Sequence, residues 1–213
     1  MTLRLDAPAA PNLPLGPNQY ERQYHDQLNN IHRLYYNRLD NGLQALYGDE
    51  GGRFLNFPYG AIQRTTDVTF TANTPVQITF DTTDYINAMT RDPGDGLIVD
   101  YEGIYNYQFS IQFSNSSSQI HDAWVWLRKN GTDLAGTGSQ FSVPNSHGGV
   151  DGHVIGAANF YVELVAGDSV EMWAAVNNVA IKMEAYPAQT VPFAMPAIPS
   201  AVATLSFVSS IPG

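Results

Sequence analysis

The chain has 213 residues, 44% of them hydrophobic and only 14% charged, with a formal net charge of -10. That is enough apolar material for one good core plus an extension, so disorder of the whole is excluded. There is no cysteine, which excludes disulfide scaffolds, thiol nucleophiles and thiolate metal sites.

The acidity is unevenly placed. Residues 1–64 hold six basic and six acidic side chains, while the remainder holds four basic against fourteen acidic ones and so carries the whole net charge. An acidic body repels phosphate backbones, so nucleic acid is not an expected partner. No apolar run has the length of a signal-peptide core or a transmembrane helix, so neither export nor membrane insertion is expected.

Residues 1–17 read as an extended arm. Pro8, Pro11, Pro14 and Pro17 fit neither a helix interior nor a central strand, and Leu13 and Leu15 are apolar points along it. Residues 18–47 read as an amphipathic helix, because Tyr20, Tyr24, Leu28, Ile31, Leu34 or Tyr35, and Leu39 recur at spacings of three and four. The pattern predicts helix to about Asn41, with Leu43, Ala45, Leu46 and Tyr47 able to add a last turn beyond Gly42. Such a stripe suits the seam of a short oligomeric coil, docking on a neighbour, or packing on the chain's own head. Low charge and many tyrosines point to an anchor held by buried protein surface, through Leu13, Leu15, Tyr20, Tyr24, Leu28, Ile31, Leu34, Tyr35 and Leu39. Gly48, Gly51 and Gly52 open a linker over residues 48–64.

Residues 65–213 read as strands. Short β-branched runs cover 67–71 and 76–80, and the loop Arg91-Asp92-Pro93-Gly94-Asp95-Gly96 precedes the clearest strand of the chain. There Tyr105, Tyr107, Phe109, Ile111 and Phe113 alternate with Asn106, Gln108, Ser110 and Gln112, which predicts one face in a core and one uncharged polar face. A face in free contact with water normally carries Lys or Glu, so this one suits burial against another subunit or a second sheet. In 122–129, Ala123, Val125 and Leu127 point one way while Trp124 and Trp126 point the other, and Asn130-Gly131 predicts a tight hairpin turn. A glycine- and serine-rich stretch through 136–156 reads as loop and irregular edge, and further strands cover 154–165, 169–176, 179–186 and 202–208. Many short strands with turn signals and no helix among them predict an all-β sandwich or barrel. Trp124, Trp126, Tyr161 and Trp173 fall opposite the core-facing sets and join Asn106, Gln108, Ser110 and Gln112 as expected subunit-contact residues. Sugar binding by an exposed tryptophan is a further possibility.

Catalytic signatures are lacking: there is no nucleophile elbow, phosphate loop or His-Glu-x-x-His helix, and the expectation is a non-enzyme without a cofactor. His147 and His153 flank a glycine-rich stretch that reads as a flexible loop rather than a metal site. Asp92, Asp95 and Asp100 are weak calcium candidates, without the regular ligand spacing of a dedicated loop.

Several of these pieces, in this order, resemble the globular head of the complement C1q and tumour-necrosis-factor family: Glu102 to Phe109, Val125 to Gly131, Leu164 to Val170 and Ala203 to Val208. The resemblance implies a jelly-roll sandwich of about ten strands that assembles as a homotrimer. There is no collagen repeat. The proline-rich start followed by Tyr20 to Leu28 and Ile31 to Asn41 is similar to the N-terminal segment of structural proteins from tailed phages. That similarity implies a virion protein attached to capsid or tail by its N-terminal segment, with the head as decoration, cement, fibre or knob. It leaves open a host-receptor or glycan-binding module and, last, a polysaccharide-degrading enzyme.

Overall fold

A computed structural model describes residues 11–13, 15, 18–47, 57–92 and 96–211, excepting the side chains of Ala45, Tyr47 and Asp92. The chain divides into two compact units, residues 1–56 and 57–213.

In the first unit, helix α1 runs Arg22–Tyr47 and continues through Gly42. An interior glycine costs about 1 kcal/mol relative to alanine. The helix extends past it because Leu43 and Leu46 continue the apolar spacing. Tyr24, Leu28, Ile31, Tyr35 and Leu39 are partly buried and form one stripe. Leu13 and Leu34 are half-exposed, while Leu15 and Tyr20 are more open to solvent. The candidate anchor is therefore an apolar stripe whose members are nowhere fully covered. Gly48, Gly51 and Gly52 lie outside the described residues.

The second unit is an all-β sandwich of two antiparallel sheets. Its strands in order are β1 Tyr59–Arg64, β2 Val68–Thr69, β3 Val76–Ile78, β4 Thr82–Asn87, β5 Met89–Asp92, β6 Gly96–Val99 and β7 Gly103–Asn115. They continue as β8 His121–Lys129, β9 Thr132–Asp133, β10 Ser139–Val143, β11 Gly152–Leu164, β12 Ser169–Val176, β13 Ile181–Met183 and β14 Ala201–Ser209. One sheet has the order β2-β13-β7-β14-β1-β4, with β11 on the other side of β7. The second has the order β10-β8-β12-β6-β5, with β3 on β12 and β9 on β8.

Strand β7 is central to the first sheet and obeys its alternation: Tyr105, Tyr107, Phe109, Ile111 and Phe113 all point into the core and are at most 4% exposed. Each such large side chain contributes about 1.5–3 kcal/mol of burial. They meet Val125, Leu127, Val170, Met172 and Ala174 from the second sheet. The Tyr105 hydroxyl donates to the Tyr101 carbonyl at 2.7 Å, so its polar end is satisfied.

Three features of the sandwich differ from the sequence reading. Strand β1 lies inside the stretch read as a linker, and it is held between β14 and β4 along its length. The loop at 91–96 is the connection of a hairpin in which Asp92 pairs with Gly96. Beyond the edge strand β10, His147 and Val150 exchange backbone hydrogen bonds around Gly148 and Gly149 at positive φ, so a tight turn stands where a flexible glycine loop was expected.

Candidate functional site

The outward face of the first sheet is assembled from β7 and its neighbours. Register places Asn106 between Tyr161 on β11 and Ser206 on β14, Gln108 between Asn159 and Thr204, and Ser110 between Ala157 and Val202. Gln112 pairs with Ile155, while Tyr59 and Ala61 of β1 and Tyr85 of β4 extend the face on the far side of β14. None of these positions carries a formal charge, and residues 185–213 contain no charged residue at all. Gln108, Asn159, Tyr161, Tyr85 and Ile155 are exposed, the last three by more than 60%. Asn106 is the exception: it is nine-tenths buried, and its side-chain oxygen has no hydrogen-bond partner. A buried acceptor without a donor costs about 1–3 kcal/mol, so this face holds an unmet polar demand.

The tryptophans belong to the opposite face. Trp124 and Trp126 on β8 and Trp173 on β12 alternate with buried Ala123, Val125, Leu127, Met172 and Ala174, so they project from the outside of the second sheet. Trp126 and Trp173 are directly paired across strands. The Trp126 indole donates to Asp133 Oδ1 at 2.7 Å, and Arg128 Nε donates to the same oxygen at 2.6 Å. Those two bonds hold the Asp133 carboxyl below the usual carboxylate range. The Arg128 guanidinium lies 3.8 Å from the centre of the Trp173 ring, and the Trp173 indole donates to Glu171 Oε2 at 3.0 Å. The eight expected contact residues thus separate into two sets: Tyr161 joins Asn106, Gln108, Ser110 and Gln112, whereas the three tryptophans form a patch of their own. A closed ring uses two different surfaces of each subunit, so two sets are compatible with one assembly.

At one end of the first sheet, Lys182 pairs with Glu184 at 2.8 Å, and the Tyr186 hydroxyl donates to Glu184 at 2.6 Å and lies 3.4 Å from His153 Nδ1. Burial pushes the Glu184 carboxyl up, but hydrogen bonds from Lys182 and Tyr186 outweigh it and the net shift is downward. Burial and that same bond push the Tyr186 hydroxyl up. Near pH 7 the carboxylate therefore stays ionised and the phenol protonated, which suits a structural brace better than general acid–base work. A groove of about 580 Å³ lies beside it, lined by Gln63, Asp67, Tyr186 and Ile198 among others.

Among the described residues no group of three or more His, Asp or Glu side chains is placed to hold a metal ion. Asp100 is exposed, while Asp95 and the Asp92 side chain lie outside the described residues. His147 sits in the tight turn, and His153 stands against Tyr186. Sequence reasoning missed Tyr59, Tyr85, Ile155 and Asn159 on the first face. Along β11 the outward set mixes Ile155, Ala157 and Tyr161 with His153, Asn159 and Glu163, so periodicity offered weak contrast there. Asp133, Arg128 and Glu171 were missed beside the tryptophans because they come together only where β8, β9 and β12 pair. Compared with known proteins, the chain matches no family model and no curated sequence.

Proposed function

We propose that this chain is a non-enzymatic structural protein of a tailed-phage virion. Residues 1–56 attach it to capsid or tail, and the sandwich, a C1q-like jelly roll, assembles as a homotrimer through the outer face of its first sheet. The supporting observation is that face: a broad surface that is neutral across Tyr59, Tyr85, Gln108, Ala157 and Tyr161, with Glu163 at its border, on a chain of net charge -10. Copies of an acidic protein repel one another, so they associate best where neither presents charge, and aromatic side chains are enriched at such contacts. For the N-terminal unit, the support is the incompletely covered stripe Tyr24, Leu28, Ile31, Tyr35 and Leu39 on a segment that is nearly neutral, with five basic and six acidic side chains in residues 1–56.

Two measurements separate assembly from attachment. In sedimentation equilibrium the full chain is expected at the mass of three copies, and Gln108→Arg combined with Ala157→Arg is expected to give monomers of unchanged circular dichroism. A monomeric wild type, or a variant that remains trimeric, overturns the assembly claim. For attachment, labelled full-length protein is expected to load onto particles lacking it, and a chain beginning at Phe57 is expected not to compete even at about 100-fold excess. Equal loading by the truncated chain refutes the anchor.

A further inference from the structure

We infer that the outer face of the second sheet is a binding site for neutral saccharides, with Trp124 and Trp126 as its stacking surfaces. The site is complete within one chain and faces away from the surface assigned to subunit contact.

The case begins with how the indoles are held. Trp126 and Trp173 both spend their ring N–H on carboxylates of the same face, Asp133 and Glu171, and Glu171 also accepts the Gly131 backbone N–H at 3.1 Å. The Trp126 and Trp173 rings are thereby pinned, and Trp124, Trp126 and Trp173 each remain partly exposed, with Arg128 covering one face of Trp173. Pre-organised aromatic groups lose little freedom on binding, which favours a ligand that stacks. Ala175 stands directly across from Trp124 and next to Trp173 along β12.

Around the rings stand groups that suit hydroxyls. Gln140 pairs with Trp124 across β10 and is exposed, and Ser142 donates to Asp122 at 2.7 Å on the same side. Asp133 is 63% exposed by its side chain, with its second oxygen available to accept. Sugar hydroxyls donate and accept, and the C–H face of a pyranose presents positive edges to the negative face of an indole. Charge decides the ligand class. This face carries Arg128 against Asp122, Asp133 and Glu171, on a body of net charge -10, so sulfated, phosphorylated or uronic acid polymers are repelled and a neutral hexopyranose chain is favoured.

The test is a titration of the full-length protein with hexasaccharides of neutral glucose, galactose and mannose polymers, read by tryptophan fluorescence and calorimetry. At least one is expected to saturate with Kd below about 1 mM. Trp124→Ala and Trp126→Ala are each expected to weaken it about tenfold or more, and Gln108→Arg on the opposite face to leave it unchanged. Where alanine unfolds the sandwich, Trp124→Phe keeps an aromatic body and is expected to weaken binding severalfold. Four results overturn the inference: no saturable response to any of the three sugars; unchanged affinity in the folded tryptophan variants; an oligouronate binding as tightly as the neutral sugars; or loss of the oligomer in Trp126→Ala, which assigns the face to subunit contact.

Discussion

Replacing Gly152 by alanine is expected to destabilise the sandwich by about 3 kcal/mol or more, among the largest effects of any single methyl group in the chain. Gly152 opens β11 and is buried against the backbone that follows β10. An added Cβ would overlap the Pro144 carbonyl oxygen and stand 2.6 Å from its carbon and 2.8 Å from the Asn145 oxygen. Backbone cannot give way there, because the Asn115 side chain donates to the carbonyls of Gln119, Val143 and Pro144 and ties the segment in place. Gly149, three residues earlier, has nothing within 4 Å of a built Cβ and only its φ of +81° to strain. Gly149→Ala should therefore cost about 1 kcal/mol. Urea unfolding of the two variants measures the contrast, and a Gly152→Ala midpoint equal to that of Gly149→Ala would refute the packing account.

Asp168→Ala is expected to cost about 3 kcal/mol near pH 7 and progressively less in acid. Asp168 is 7% exposed and locks two turns together. Its carboxylate accepts the Val165 backbone N–H at 2.9 Å and the Asn130 amide at 2.7 Å, with Lys129 at 3.5 Å. Asn130 itself sits at a φ of +51° and accepts the Ser169 N–H at 2.9 Å. Burial pushes the Asp168 carboxyl up, but the Val165, Asn130 and Lys129 interactions outweigh it, and the net position lies below the ordinary 3.8. A carboxyl depressed by folding contributes stability that is present above its unfolded value and is lost as pH falls through the folded one. The gap in unfolding free energy between wild type and Asp168→Ala should thus be constant from about pH 7 to about pH 5 and close below that range. A gap that persists unchanged to about pH 2 would place the cost in packing rather than in the carboxylate.

Some of the candidate site was legible beforehand and some was not. The outward set Asn106, Gln108, Ser110 and Gln112 followed from alternation along one strand, because the period of two is a local property. Grouping Tyr161 with Trp124, Trp126 and Trp173 was equally natural from sequence, since each stands opposite a core-facing set. Periodicity states that a side chain points away from the core. It does not state from which sheet.

The same division holds for the whole molecule. Sequence by itself determined the all-β class of residues beyond 65, the buried set on β7, the Asn130-Gly131 turn and the confinement of negative charge to the body, because each depends on neighbours a few positions apart. Only tertiary structure decided that β1 joins the sandwich, that Asp168 clasps Asn130, and that two outward faces of different chemistry lie on opposite sheets. Those outcomes depend on pairings between residues far apart in the chain, such as Gly60 with Leu205 and Tyr161 with Asn106. Such pairings are selected by how two sheets close over a shared core, which no local pattern encodes.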